Sequence, residues 1–272
     1  MDPLPVDEDA RGIIDPGAGL TRFRLDRSAP SEGLARFVDR YWVASWDLPE
    51  DEPFTQQVLA HPVVNVVFAG GGAAVHGPTT RLTSRRLTGT GWALGVMFRP
   101  AGFRPFLGRP MNGIVDAVLP LGEVFDGAEF RQDDPTRLIA DVDRYLAARV
   151  PADRHPAEDT MDVVERVAAD PTVVGVAPLA RREGMGVRLL QRRFADHVGL
   201  GPKTVIRRYR LYEAAERARR GGVMDWSGVA AELGFSDQSH LTREFTSVIG
   251  VPPAAYAARS GAAAGSRPVA GS

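Results

Sequence analysis

The sequence predicts an α+β chain: a β-rich N-terminal domain, sandwich or small barrel, followed by an all-α domain with two helix-turn-helix units. Three observations carry this. Between Phe23 and Phe125 short apolar runs alternate with Gly, Pro and Thr turns, the pattern of short strands. Beyond Pro156 apolar residues recur at helical spacing as far as Arg259. Within that second half one pattern occurs twice, about 50 residues apart.

At 272 residues the chain has room for two domains, and its 44% apolar and 25% charged residues argue against disorder. There is no Cys, which excludes disulfides, thiolate metal sites, Cys nucleophiles and Cys alkyl acceptors. The acidic start, Met1 to Asp9, has no apolar core and does not read as a signal peptide. No apolar run approaches the ~18 residues of a membrane helix, so a cytoplasmic protein without membrane contact is expected.

Residues 1–20, polar and rich in Pro, Gly and Asp, read as a mobile tail. The β-rich domain, 21–150, has candidate strands from Tyr41 to Trp46, Val63 to Phe68, Ala73 to His76, Arg81 to Leu87 and Trp92 to Phe98. A short helix is expected from Pro100 to Leu107. Leu138, Val142, Tyr145 and Leu146 place another from Thr136 to Ala148. Residues 151–157, where Pro151 and Pro156 resist helix, read as a linker. Residues 158–259 read as the helical domain. Residues 260–272, Ala, Gly, Ser and Pro, read as a disordered tail.

In the β-rich domain alternate strand residues face one side. Trp42, Val66, Phe68, Trp92 and Phe98 can therefore line an apolar pocket for a small-molecule effector, or else fill the core. His61 and His76 are the only histidines before the linker, too few for a metal site. Gly70-Gly71-Gly72 lacks the Gly-Lys-Ser/Thr of a phosphate loop and reads as a hairpin turn. Neither a cofactor nor a metal is expected. No paired acid–base set or nucleophile–His set supports an enzyme.

Charge divides the two halves. From Val173 to Arg259 there are fourteen basic and eight acidic residues, on a chain of net charge −1. A basic block on an otherwise acidic chain is the footprint of a nucleic-acid-binding module beside a partner domain.

The first copy of the repeat is Val176 to Ala180, then Gly184 to Phe194; the second runs from Val229 to Phe245. Each is a short apolar helix, a Gly, a polar turn, and a second helix with a Leu followed four residues later by Phe. Gly184 and Gly234 can take the left-handed backbone that ends a helix. Ser236 can cap the next helix. Val187, Leu190, Phe194 and Val198 make one inward stripe; Leu241, Phe245 and Val248 make another. Arg188, Gln191 and Arg192 then point outward in the first copy, and Gln238, Ser239, Thr242 and Arg243 in the second. Arg matches guanine and Gln matches adenine in the major groove of duplex DNA. Pro202 opens a helix between the copies, with Leu211, Ala214, Ala215 and Ala218 on a narrow apolar face. An arbitrary helical bundle would share the Gly turns and stripes, but not two polar or basic outer faces.

Leu179 to Phe194, Gly199-Leu200-Gly201-Pro202, Leu233 to Phe245 and Gly250 to Tyr256 resemble the DNA-binding domain of the AraC/XylS family of transcriptional regulators. The resemblance covers roughly residues 160–258. It implies a seven-helix unit whose two recognition helices enter successive major grooves, with Arg188, Gln191, Arg192, Gln238, Ser239 and Arg243 at base-reading positions. Gly186, where Ser or Thr usually caps, Glu244 on the second recognition helix and Ala257 after Tyr256 depart from the family pattern. Phe37 to Trp42, His61 to Phe68 and Gly95 to Phe103 resemble the uncharacterised β-rich domain that precedes this unit in many bacterial family members. That implies a sensor or dimerisation role. The expected partners are double-stranded DNA, a small-molecule effector, a second copy of the chain, and RNA polymerase for an activator. The alternative is a DNA-repair or enzymatic protein that uses the same domain for targeting; the lack of Cys excludes direct alkyl transfer to a thiol.

Overall fold

The structure, a computed structural model, describes residues 21–58, 61–220 and 224–264. The expected N-terminal tail and residues 265–272 of the expected C-terminal one lie outside the described residues.

Among the described residues of the N-terminal half there are eight strands: β1 (Arg24–Ser28), β2 (Val38–Asp47), β3 (Phe54–Val58), β4 (Asn65–Ala69), β5 (Gly72–His76), β6 (Thr83–Leu87), β7 (Thr90–Phe98) and β8 (Val118–Pro120). Six of them make one antiparallel sheet in the order β1-β2-β7-β4-β5-β8, and β3 pairs with β6 in a separate ribbon. The sheet ends at β1 and β8, so it is open rather than closed into a barrel. The fold class is α+β, as expected. The chain runs Val63 and Val64 as irregular backbone before β4, and it pairs β1, β3 and β8, which composition did not single out.

Cross-strand register assigns the two faces. Tyr41, Val96, Val66 and Val75 line up on one face, and Leu94 pairs with Phe68 on the same side. These residues are buried. Helix α1 (Arg104–Leu107) and helix α2 (Pro135–Ala147) supply Phe106, Leu138, Val142 and Leu146 to the same cluster. Asp134 caps α2 by accepting from the Arg137 amide, and the Tyr41 hydroxyl donates to Asp143 of that helix at 3.1 Å. On the opposite face Trp42 pairs with Gly95, and Trp46 with Gly91. The glycines matter because the indoles lie across them: a Cβ at Gly95 would come within 2.0 Å of the Trp42 ring.

The described residues of the second half form seven helices: α3 (Pro156–Ala169), α4 (Val176–Arg182), α5 (Val187–His197), α6 (Pro202–Arg219), α7 (Trp226–Glu232), α8 (Gln238–Ile249) and α9 (Pro253–Ala264). The expected linker is shorter than 151–157. Pro156 is the first residue of α3, where its missing N–H costs nothing. The His155 side chain accepts from the Ala157 amide, and Glu158 accepts from the His155 amide at 2.7 Å. Helix α9 likewise carries residues 260–264 of the expected tail.

The two halves share a core. Phe37 and Ala101 are buried with Ala157, Met161, Leu190 and Phe194 in one apolar cluster. Arg99 pairs with Glu165 and Arg104 with Asp196, each at 2.8 Å. The Arg208 guanidinium donates to the Thr80 carbonyl at 2.7 Å, and the His61 ring meets that of Tyr212 at 4.8 Å, tilted by 53°. Buried apolar contact of this kind stabilises far more than the exposed ion pairs at its rim.

One buried group ties this core to pH. His197, at the end of α5, meets the Thr160 hydroxyl of α3 at 2.7 Å through Nδ1. Burial, opposed by Asp196, lowers its pKa below the ordinary value of 6.5. A depressed histidine stabilises the fold fully above its unfolded pKa, and that contribution is lost as pH falls through the folded value. Urea unfolding midpoints are therefore expected to fall between about pH 7 and pH 5, with a shallower fall in His197→Gln. An equally steep fall in the variant would assign the effect to other groups.

Candidate nucleic-acid interface

The helical half contains two copies of one local geometry. In the first, α4 ends at a turn where Gly184 has φ +64 and the Met185 amide donates to the Ala180 carbonyl at 3.0 Å. In the second, α7 ends where Gly234 has φ +76 and the Phe235 amide donates to the Ala230 carbonyl at 2.9 Å. Both are left-handed glycine stops with a bond reaching back over the last turn, and both re-aim the chain into a second helix.

That second helix is α5 in the first unit. Leu190, Phe194 and Val198 are buried, and Arg188, Gln191 and Arg192 are exposed on its other face. Val187, expected inward, is 37% exposed, because it precedes the first full turn and lies off the stripe. Gly186 caps α5 without a side-chain bond. In the second unit the helix is α8. Leu241, Phe245 and Val248 are buried; Gln238, Ser239 and Arg243 are exposed, and Thr242 is half-buried. The cap is Asp237, which accepts from the His240 amide at 2.7 Å, rather than Ser236, whose hydroxyl meets the His240 ring at 3.0 Å. Gln238 accepts from the Ser227 hydroxyl at 3.1 Å.

Among the described residues Arg188, Arg192 and Arg243 take part in no ion pair. Many other arginines of this half do: Arg166 with Glu183, Arg182 with Asp170, Arg217 with Glu213 and Glu232. Glu244, the acid on α8, lies 3.6 Å from Arg207 and 3.9 Å from His240, so its charge is engaged sideways. The outer faces of α5 and α8 thus carry uncompensated positive charge and amide groups able to bond base edges.

Helix α6 holds the units together. Pro202 opens it, Val205 and Ile206 join the core of the first unit, and Leu211, Ala214 and Ala215 join that of the second. Lys203, Arg207 and Arg210 line a small pocket between the units. Read as a sequence, they belong only to the polar side of a linking helix.

A second concave feature lies in the N-terminal half. A cleft of about 2050 Å³ opens between the sheet and the β3–β6 ribbon and extends to Glu165 and Tyr209. Its walls include Trp42, Trp46, Val67 and Met97, with Arg27 and Arg85 among the polar groups. Of the five residues expected to line a pocket, Trp42 does. Trp92 and Phe98 touch the cleft wall but pack with the core. Val66 and Phe68 are corrected: register sets them on the opposite face from Trp42, where they are 2% and 1% exposed. Trp46, Val67 and Met97 were missed. Among the described residues no group of three or more His, Cys, Asp or Glu is placed to hold a metal ion, and no helix is long and apolar enough to cross a membrane.

Residues 179–259 match the model of a helix-turn-helix domain, and residues 26–120 match that of a domain of unknown function (DUF6597). No curated protein matches the chain. Among solved structures the chain is similar to ToxT from Vibrio cholerae. An apo ToxT variant is 13% identical, with 80% of this chain and 97% of that one covered and a TM-score of 0.40. ToxT bound to (E)-4-(8-methylnaphthalen-1-yl)but-3-enoic acid is 12% identical, with 88% and 99% covered and a TM-score of 0.39.

The spacing of the two units depends on an unbroken α6. One residue inserted beside Arg217 would rotate everything beyond it by about 100°. DNA affinity in a gel-shift titration is expected to collapse, while the far-ultraviolet dichroism stays helical. Retained affinity would mean that only one unit engages DNA.

Proposed function

We propose that this chain, which carries an AraC-type helix-turn-helix domain behind a domain of unknown function, is a transcription regulator that reads DNA with two recognition helices and answers to a small molecule held in its N-terminal cleft. DNA binding and regulation, rather than enzymatic chemistry, follow from the domain it carries. The observation that carries the base-reading assignment is the pair of outer faces on α5 and α8. Arg188, Arg192 and Arg243 suit bidentate bonding to guanine, and Gln191 and Gln238 suit adenine. Ser239 and Thr242 are shorter and suit phosphate oxygens or a thymine methyl group.

The effector assignment rests on the cleft and its edge. Two tryptophans, Val67 and Met97 offer an apolar surface of the kind small-molecule sites use. The loop at the edge does double duty. Thr79, Arg81 and Leu82 line the cleft, Thr80 accepts from Arg208 of α6, and Leu82 packs against the second unit beside Gly250. A ligand that binds one placement of this loop better than another would shift the helical half with it. Pairing with a second copy and contact with RNA polymerase, as an activator, complete the proposal.

Alanine at Arg188, Gln191 or Arg243 is expected to cost about 1–3 kcal/mol on the cognate site and to relax preference at one or two base pairs. Equal losses on cognate and random duplexes would assign these side chains to phosphate instead. In the full-length protein, Trp42→Ala is expected to leave operator affinity unchanged without effector and to abolish the response of a reporter promoter to the condition that controls it. A normal response would remove the cleft from the mechanism.

A further inference from the structure

Arg210 is 1% exposed, and its charge is nearly unbonded. One Nη2–H donates to the Val167 carbonyl, while Nε and Nη1 are buried with no hydrogen-bond partner. Glu213 and Asp170 attract it through space but do not bond it, and Arg217 opposes them. A buried cation without acceptors is expensive, so the charge of Arg210 favours an anion held close by.

The surroundings match that demand. Arg210 lines a pocket of about 250 Å³ between the two helix-turn-helix units. Its floor is one face of α6, where Lys203, Ile206, Arg207 and Arg210 recur at helical spacing. Its walls are Val174 to Val176 ahead of α4, and Leu233 to Phe235 with His240 of the second unit. Val174 packs directly on Gly234, where a Cβ would come within 2.6 Å of it, so the two units meet here. Three cations line the pocket and no carboxylate does; Glu244 pairs with Arg207 at 3.6 Å from outside the lining. The Arg207 guanidinium also lies over the Phe235 ring at 5.6 Å. The volume is below the usual range for drug-sized ligands and suits a single small group. The amine of Lys203 and the guanidinium of Arg207, beside the buried charge of Arg210, are donors that suit the oxygens of a phosphate.

We propose that this pocket is a phosphate site at the junction of the two units, filled by a backbone phosphate of DNA passing between the recognition helices or by a free phosphate group. The DNA source rests on the DNA-binding function proposed above; the pocket itself does not. A phosphate held on α6 between walls supplied by both units would favour their docked placement.

The test uses the full-length protein with Lys203→Met, Arg210→Met and Arg210→Lys. In one arm inorganic phosphate is titrated against the protein by calorimetry at constant ionic strength, with chloride as control. In the other, affinity for a random duplex of about three helical turns is measured across a salt series. If the pocket takes a DNA phosphate, each Met variant loses affinity on every duplex and flattens the log–log salt slope by about 0.9; Arg210→Lys retains part of the slope. If it takes a free phosphate group, inorganic phosphate binds the parent protein saturably, Arg210→Met abolishes the binding, and the salt slope is unchanged. Unchanged slopes together with no phosphate binding would overturn the site. Lys203 is exposed, so its variant and Arg210→Lys carry the test should Arg210→Met fail to fold. A parent protein that binds no duplex would refute the DNA reading and leave the phosphate arm to decide the pocket.

Discussion

The constraint on which the rest depends is the burial of α6 on several sides at once. Val205 and Ile206 sit in the core of the first unit, and Leu211, Ala214 and Ala215 in that of the second. Arg208 reaches the N-terminal half, and Tyr212 packs against His61 there. A helix with one wet side could slide or bend against its neighbours. This one is held from both units and from the β-rich half. At 1.5 Å per residue its 18 residues span about 27 Å.

The same burial explains why the halves are not independent. The sequence separates a basic helical segment from an acidic-leaning β-rich one, and that charge contrast suggests two bodies on a linker. In the structure Phe37, from the chain entering β2, and Ala101 complete the core of the first unit. Two ion pairs at the rim run against the overall charge contrast: Arg99 and Arg104 of the β-rich half hold Glu165 and Asp196 of the helical half. The outer faces of α5 and α8 stay exposed in this docked arrangement. The β-rich half therefore touches both units and leaves the outer faces of α5 and α8 free. Regulation through it would act by changing how the units are held.

What could be read in the sequence was local. The repeat was legible because a left-handed Gly, a short turn and a Leu–Phe pair four apart specify the same geometry twice without any distant contact. Pro202 at the start of α6 was legible for the same reason. Pro156 was misread because a proline that resists the helix interior is favoured at its first position. The cleft was half legible. Trp42 was found, but Val66 and Phe68 were assigned to its face because strand register fixes which residues oppose which, and register is set by partners far along the chain. A signal was present nonetheless: Gly91, Ala93 and Gly95 are small at every second position, which is the side of β7 that two indoles must cross. The junction pocket was illegible, since Val174, Arg210 and Gly234 meet only when both units are docked.

The most direct test of the account is a methylation-interference footprint of the full-length protein on a bound operator. Guanines should interfere in two major-groove segments, centred about one helical turn apart on one face of the duplex. Arg188→Ala should erase contacts in one segment and Arg243→Ala in the other. A single protected segment, or two whose contacts fade together in either variant, would contradict the picture of two units held at a fixed distance by α6.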